Sequence, residues 1–362
     1  TIARLSEIWI HGFCYSIMAQ PNSEFKEIVF PVPWGHIAGK IYGSSTEKRI
    51  LMVHGLLDNC GTFDRLLTLL PTEYQYVSID LPGHGFSSPY PQGELLEFFN
   101  YVNVIDIVLD CLKWDNCIYI GHSFGAQIGI YFSILFPNRI EKIIALDGLI
   151  PMNIETDVLV NHIRQLSKSK MYDTDQSRLY TEEQVLYALR FKRQTALNSA
   201  AAEALFPRAV TKVGDLYKYN RDLRLRLFVR PALNLEQHIA FLSQLCVPVL
   251  LIVVQSSYLH TSRFRMLDNV HLLIKNMDSF KYVFVSGNHD VHNNNPEVVI
   301  SFAVNLTLYQ NISAFGNGCS AVISIFPKFT TFPVISEFFI SIIICASDLS
   351  SHEYKLQFKS NT

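Results

Sequence analysis

The sequence predicts an α/β fold: a mostly parallel central sheet with helices on both faces and a helical insertion. Three observations point there. Apolar runs of strand length alternate with segments of helical spacing from about residue 25 to 151. The alternation lapses between about Met152 and Gln244, and it resumes with "PVLLIVV" and "YVFVSG".

"EIVFPV" and "GHIAGKIY" have the alternation and β-branched content of a first hairpin, with "PWG" as its turn. "RILMVHG" is a continuous apolar run stopping at Gly55, as a buried strand would. "TFDRLLTLLP" has helical spacing and ends at Pro71, and "YQYVSIDLPGHG" is a strand followed by a loop rich in Gly and Pro. "LLEFFNYVNVIDIVLDCLKW" places apolar residues at steps of three and four, giving a helix of about five turns. "CIYIGHS", a helix from Ala126 to Phe136 and the strand "IEKIIALDG" continue the series. Within the insertion, Tyr180–Arg193 and Leu233–Leu245 read as helices and no strand is expected. "PEVVISFAVNLTLY" supplies a last helix, with Pro296 in its first turn. The expected organisation is an N-terminal extension (1–24), a first core part (25–151), a helical insertion (152–244), a second core part (245–310) and an apolar tail (311–362) outside the core fold.

Composition narrows the function classes. The chain has 362 residues, 49% of them hydrophobic, and a formal net charge of −2 without a basic block. Nucleic acid and anionic membrane surfaces are therefore not the expected partners. The seven cysteines (Cys14, Cys60, Cys111, Cys117, Cys246, Cys319, Cys345) are scattered, with none at Cys-x-x-Cys spacing, so neither a zinc site nor a disulfide framework is expected. Reduced thiols in an intracellular protein fit this pattern. The opening residues lack a secretory pattern, and "MAQPNSEFKEIVF" from Met18 is where domain-like patterning begins, so residues 1–17 read as extraneous. Asn305 and Asn311 sit in glycosylation-type triplets that matter only after secretion. In the tail, Phe338–Ala346 is well short of the roughly 20 apolar residues that span a bilayer, so no membrane span is expected.

The chemistry centres on "IYIGHSFGAQIGIYF". Gly121-His122-Ser123-Phe124-Gly125 fits G-x-S-x-G at the point where an apolar strand stops and a helix starts. Turning there within about two residues forces the serine to φ > 0, and Gly121 and Gly125 leave room for the turn. The serine oxygen is then held at the positive end of a helix. A serine needs a base at neutral pH. "VFVSGNHDVHNNNPEVV" offers His289 just after a strand and a glycine, with His292 as the competitor three residues on. Acyl transfer also needs backbone N–H donors for the oxyanion. The expected pair is Phe124, after the nucleophile, and Leu56, in the loop His54-Gly55-Leu56-Leu57-Asp58, where Gly55 lets the backbone turn. His54 and His84 read as loop braces.

The order of these motifs is similar to that of the α/β-hydrolase superfamily. Within it, "VPWGHIAGKIYGS", "HGLLDNCGTFDRLLTLLP", "YVSIDLPGHGFSS", "IGHSFGAQIGIYFSILFP", "LDGLIP" and "GNHDVHNNNPE" resemble the animal serine hydrolase-like proteins, called kraken in insects. The likeness covers roughly residues 25–308. A small apolar ester-like substrate is the expected partner on the chemistry above. The likeness itself implies only a serine hydrolase of α/β-hydrolase fold that needs no cofactor or metal and is placed in the cytoplasm or peroxisome. It leaves the substrate and the oligomeric state open.

One departure stands out. The superfamily's triad acid usually follows the strand that here reads "PVLLIVV", but the chain continues Gln255-Ser256-Ser257-Tyr258-Leu259-His260, with no carboxylate before Asp268. Asp147, ending "IIALDG", is the replacement expected, from a second position at which superfamily members supply the acid. A turn-capping role for Asp147 competes with this, as do Asp290 and Asp268 as acids. Ser123 argues for an acyl-enzyme over the alkyl-enzyme chemistry of epoxide hydrolases, which carry an aspartate at that place. A non-catalytic ligand-binding protein on the same scaffold is the alternative, and a peripheral lipase using the apolar tail is a weaker one. The insertion's Tyr172, Tyr180, Tyr187, Leu205 and Phe206 fit an apolar ligand or ordinary packing equally well.

Overall fold

The computed structural model describes residues 24–151, 156–168, 178–227, 231, 233–256, 280–300 and 302, and three strands beyond them at 321–327, 338–344 and 354–355. The chain opens with β1 (Phe25–Val32) and β2 (Gly35–Tyr42), an antiparallel hairpin turning at Pro33-Trp34. Then come β3 (Arg49–Val53), a short α1 (Asp64–Leu67), β4 (Gln75–Ile79), α2 (Phe98–Leu112), β5 (Cys117–His122), α3 (Phe124–Leu135) and β6 (Ile140–Leu146). Next follow α4 (Thr156–Lys168), α5 (Glu182–Phe191), α6 (Ser199–Ala209), β7 (Val210–Val213), β8 (Leu216–Tyr219) and α7 (Leu235–Leu242). The sheet resumes with β9 (Val249–Val254) and β10 (Phe280–Val285), followed by α8 (Val291–Asn294).

The central sheet has eight strands in the order β1-β2-β4-β3-β5-β6-β9-β10. The pairs from β4 through β10 are parallel, and β2 joins β4 antiparallel. The strands read as unbroken apolar runs because alternate residues feed two different cores. Leu51, Val53, Tyr119 and Ala145 face a core built with Val104, Ile105 and Val108 of α2 and Ile128 and Phe132 of α3. Ile50, Met52, Ile120 and Ile144 face the opposite core, with Phe63, Leu66, Leu67 and Val291. A fully buried aliphatic side chain contributes about 1.5–3 kcal/mol, so register is strongly held on both faces.

One feature differs from the sequence reading. The insertion contains the antiparallel hairpin β7–β8, where no strand is expected. Its strands are four residues each and only Val210 of the eight residues is buried, so they carry no apolar alternation to read. The tail, whose sequence has no clean period, contains a three-stranded antiparallel sheet, β11 (Ala321–Pro327), β12 (Phe338–Ile344) and β13 (Tyr354–Lys355), separate from the central one. Residues 1–17, Tyr172, Asp268, Asn305 and Asn311 lie outside the described residues. Among the described residues, no helix is long and apolar enough to cross a membrane.

Candidate active site

Loops at the carboxyl ends of the parallel strands converge, which is where open α/β sheets place ligands. After β5 the chain passes straight into α3, and Ser123 takes φ 50 and ψ −110 at the junction. Its N–H donates to Leu146 O at 2.8 Å, fastening the turn to the end of β6. The turn is tight enough to exclude side chains on both flanks: a Cβ at Gly121 would lie 2.5 Å from Ala126 N, and one at Gly125 2.1 Å from Val53 O.

His289 arrives from the loop after β10. Its Nε2 lies 2.8 Å from Ser123 Oγ, and its Nδ1 lies 2.6 Å from Asp147 Oδ2. Asp147 itself has φ 48 at the end of β6, and its side chain is almost fully buried. Its second oxygen accepts from Val254 N at 3.0 Å, so the end of β9 fixes the carboxylate's direction. Ser256, in the stretch where the acid is more often found, instead donates to Gly287 O at 2.8 Å in the His289 loop.

The loop after β3 is a turn closed by Asp58 N donating to Gly55 O at 3.2 Å, with Leu57 at φ 67. Gly55 lies flat against the end of β5; a Cβ there would be 2.9 Å from His122 Nδ1 and 3.2 Å from Ser123 Cβ. Leu57 N donates to His84 Nε2 at 3.0 Å, and Leu81 N donates to His54 Nε2 at the same distance. The opposite nitrogens of these histidines donate to Pro82 O and Gly55 O, so both rings tie one loop to the other. Burial holds both imidazoles below their usual pKa, His84 down to about 3.

Sequence reasoning left a buried layer behind the serine unread. His122 Nε2 donates to His289 O at 2.9 Å, and its ring lies 4.1 Å from that of His292 and 4.8 Å from that of His289. His292, the competing base, is fully buried with Nε2 2.9 Å from Thr62 Oγ1, packed rather than facing Ser123. Burial, then the neighbouring histidines, keeps His122 and His292 neutral, His122 at about 4. Asp290 does not reach His289 Nδ1; it meets Arg193 Nη2 at 2.8 Å and the Thr195 hydroxyl. Burial alone would raise the Asp290 carboxyl, but the Arg193 charge leads the interactions that hold it below the usual range. Asp58, His122 and Asp290 bring potential metal-ligand atoms within 4.8 Å of one another. Arg193 already sits on both carboxylates, at 2.7 and 2.8 Å, so the cation that this cluster accommodates is a guanidinium. No sequence period marks such a contact, because Arg193 lies just past a helix end with no apolar pattern around it.

The insertion's large apolar and aromatic residues resolve unevenly. Leu205 is core with Leu197 and Ala201, Phe206 packs on Tyr217, Tyr180 packs on Tyr219, and Tyr187 is half exposed beside Phe191. Packing within the insertion accounts for Leu205, Phe206 and Tyr180.

A family model described as "alpha/beta hydrolase fold" matches residues 48–292. The chain is 34% identical over 301 residues to a serine hydrolase-like protein of Danio rerio, covering 81% of this chain and 90% of that one. It is 30% identical over 287 residues to a probable serine hydrolase of Drosophila melanogaster, covering 77% and 86%. Among solved structures it is similar to a hypothetical protein of Pseudomonas aeruginosa PAO1, with TM-score 0.68, 24% identity, and coverage of 79% of this chain and 99% of that one. It is also similar to a thioesterase domain from the curacin biosynthetic pathway, with TM-score 0.64, 21% identity, and coverage of 79% and 100%. These two likenesses concern the fold.

Proposed function

We propose, since the chain belongs to the α/β-hydrolase fold family, that it is a serine hydrolase cleaving a small apolar carboxylic ester, thioester or amide. The observation carrying this reading is the hydrogen-bonded run from Asp147 through His289 to Ser123, ending on a strained strand-to-helix turn. The names of the relatives in zebrafish and fruit fly support the reaction class.

In the proposed reaction, Ser123 Oγ attacks the carbonyl carbon while His289 Nε2 takes its proton. Asp147 stays ionised, holds the Nδ1–H and favours the imidazolium that forms. The developing oxyanion accepts from Phe124 N–H, at the first turn of α3, and from Leu56 N–H. Leu56 suits that role because its neighbour Leu57 is committed to His84. The imidazolium then protonates the leaving group, and water attacks the acyl-enzyme with His289 again as base. Each of these steps uses only the chain's own groups and water, and no cofactor or metal is invoked. Cytoplasmic or peroxisomal placement is proposed alongside, on the likeness to serine hydrolase-like proteins.

A panel of p-nitrophenyl esters of graded chain length tests the reading. Turnover by the wild type and its loss in Ser123→Ala, with the melting temperature unchanged, is the expected result. Equal turnover in the folded variant refutes the nucleophile.

A further inference from the structure

Several polar contacts join the insertion to the loops of the site, among them Asn288 Nδ2 donating to Ala196 O at 2.6 Å, and one of these contacts is a cation between two carboxylates. Arg193, just beyond α5, donates from Nη1 to Asp58 Oδ1 at 2.7 Å and from Nη2 to Asp290 Oδ1 at 2.8 Å. Thr195 donates to the other Asp290 oxygen. Both carboxylate side chains are 2% exposed, so each depends on its partners for compensation. A guanidinium, with its N–H groups in a rigid fork, can bridge two carboxylates in a fixed relative position, which an ammonium cannot do as well. Each carboxylate also belongs to a segment with a part in the proposed chemistry. Asp58 closes the turn that presents Leu56, and Asp290 directly follows His289.

We propose, on the hydrolase reading above, that Arg193 is a positioning residue: it sets the spacing between the Leu56 turn and the His289 segment and offsets one of the two carboxylate charges beside the base. The surroundings of His289 make the charge consequential. Asp147 faces it from the end of β6, His122 from the end of β5, His292 from α8 and Asp290 from the adjacent position, while Asp58, from the turn after β3, stands one layer back beside His122 and Asp290. The two neighbouring imidazoles are held neutral by burial. Among the described residues around this base, Arg193 is therefore the permanent positive charge set against three carboxylates. Removing it favours the His289 imidazolium, so the base takes its proton at higher pH. Removing it also frees two segments whose relative placement decides whether the attacking oxygen and the oxyanion donors line up, and a misplacement near 1 Å costs about 10²-fold in rate.

The test uses the full chain with p-nitrophenyl butyrate and a fluorophosphonate, read from pH 5 to 9. Wild-type labelling at Ser123 comes first; its absence refutes the hydrolase reading itself, whatever Arg193 does. With labelling present, three variants decide the inference. Arg193→Gln should lose about 10- to 100-fold in kcat and labelling rate, hold KM within about threefold, and raise the acid limb of kcat/KM by about one pH unit. Arg193→Lys keeps the charge and loses the fork, so the limb should stay while the rate falls by about tenfold. Arg193→Gln with Asp290→Asn restores the charge balance, so the limb should return to its wild-type place without recovery of rate. A folded Arg193→Gln with wild-type rate and pH profile overturns the proposal. Equal rate losses with an unmoved limb in all three variants also overturn it, because that is the signature of loosened structure alone. If Arg193→Gln does not fold, Arg193→Lys decides: wild-type rate refutes the fork, and a fall confined to kcat and labelling rate, with KM and the melting temperature held, supports it. A rate loss accompanied by a lowered melting temperature overturns it as loosened structure alone.

Discussion

Ser123 and Asp147 share an unusual backbone: both hold φ near +50, a region that costs a side-chain-bearing residue about 1–3 kcal/mol. Each ends a parallel strand of the central sheet, and hydrogen bonds from neighbouring strand ends over-determine both turns. The Val254 N–H fixes one Asp147 oxygen, leaving the other for His289. Asp147→Asn should therefore keep the shape and lose the charge that steadies the imidazolium. The expected outcome is a fall of roughly 10²–10⁴ in kcat with little change in KM, measured by steady-state kinetics. Wild-type turnover in that variant would remove Asp147 from the mechanism. The sequence singled out Ser123 from its flanking glycines and His289 from its place after a strand. Asp147 could be nominated only through a resemblance, because its partner Val254 is 107 residues away in the chain. Arg193 left no trace, since one basic residue beyond a helix end looks like any solvated charge.

At the scale of elements, the site rests on how closely α3 can approach β3. A methyl group at Gly125 would meet the Val53 carbonyl oxygen at 2.1 Å and the His54 carbonyl oxygen at 2.7 Å, both backbone atoms with nowhere to go. Gly125→Ala should push the helix start away from the sheet, destabilise the protein by about 3 kcal/mol and abolish the proposed esterase activity. Urea denaturation checks the first effect, and an unchanged midpoint would contradict it. The strands around this junction were legible because two cores claim alternate residues, which leaves an unbroken apolar run bounded by Gly or Pro. The α2 and α3 helices were legible from spacing, with ends shifted by only a few residues. The hairpin β7–β8 was not, because its exposed residues need no apolar face and its four-residue strands are below the length that alternation can mark.

For the whole molecule, the buried neutral histidines set the response to acid. His54, His84, His122 and His292 all have their folded-state pKa lowered by burial, His84 to about 3 and His122 to about 4. Unfolded, each binds a proton near pH 6.5, so between that pH and the folded values the unfolded chain carries more protons and stability falls as pH falls. Each such histidine contributes about 1.4 kcal/mol of loss per pH unit across that window. Denaturant midpoints should thus drop steeply from pH 7 to pH 5, and equal midpoints would contradict the neutral, buried assignment. What the whole fold is proposed to deliver is one activated serine, and covalent labelling reads that directly. After incubation with a fluorophosphonate, the intact chain should gain the mass of one phosphonyl group, and the peptide carrying it should contain Ser123. A chain that stays unmodified under conditions that label a known serine esterase, or an adduct on any other residue, would contradict the account.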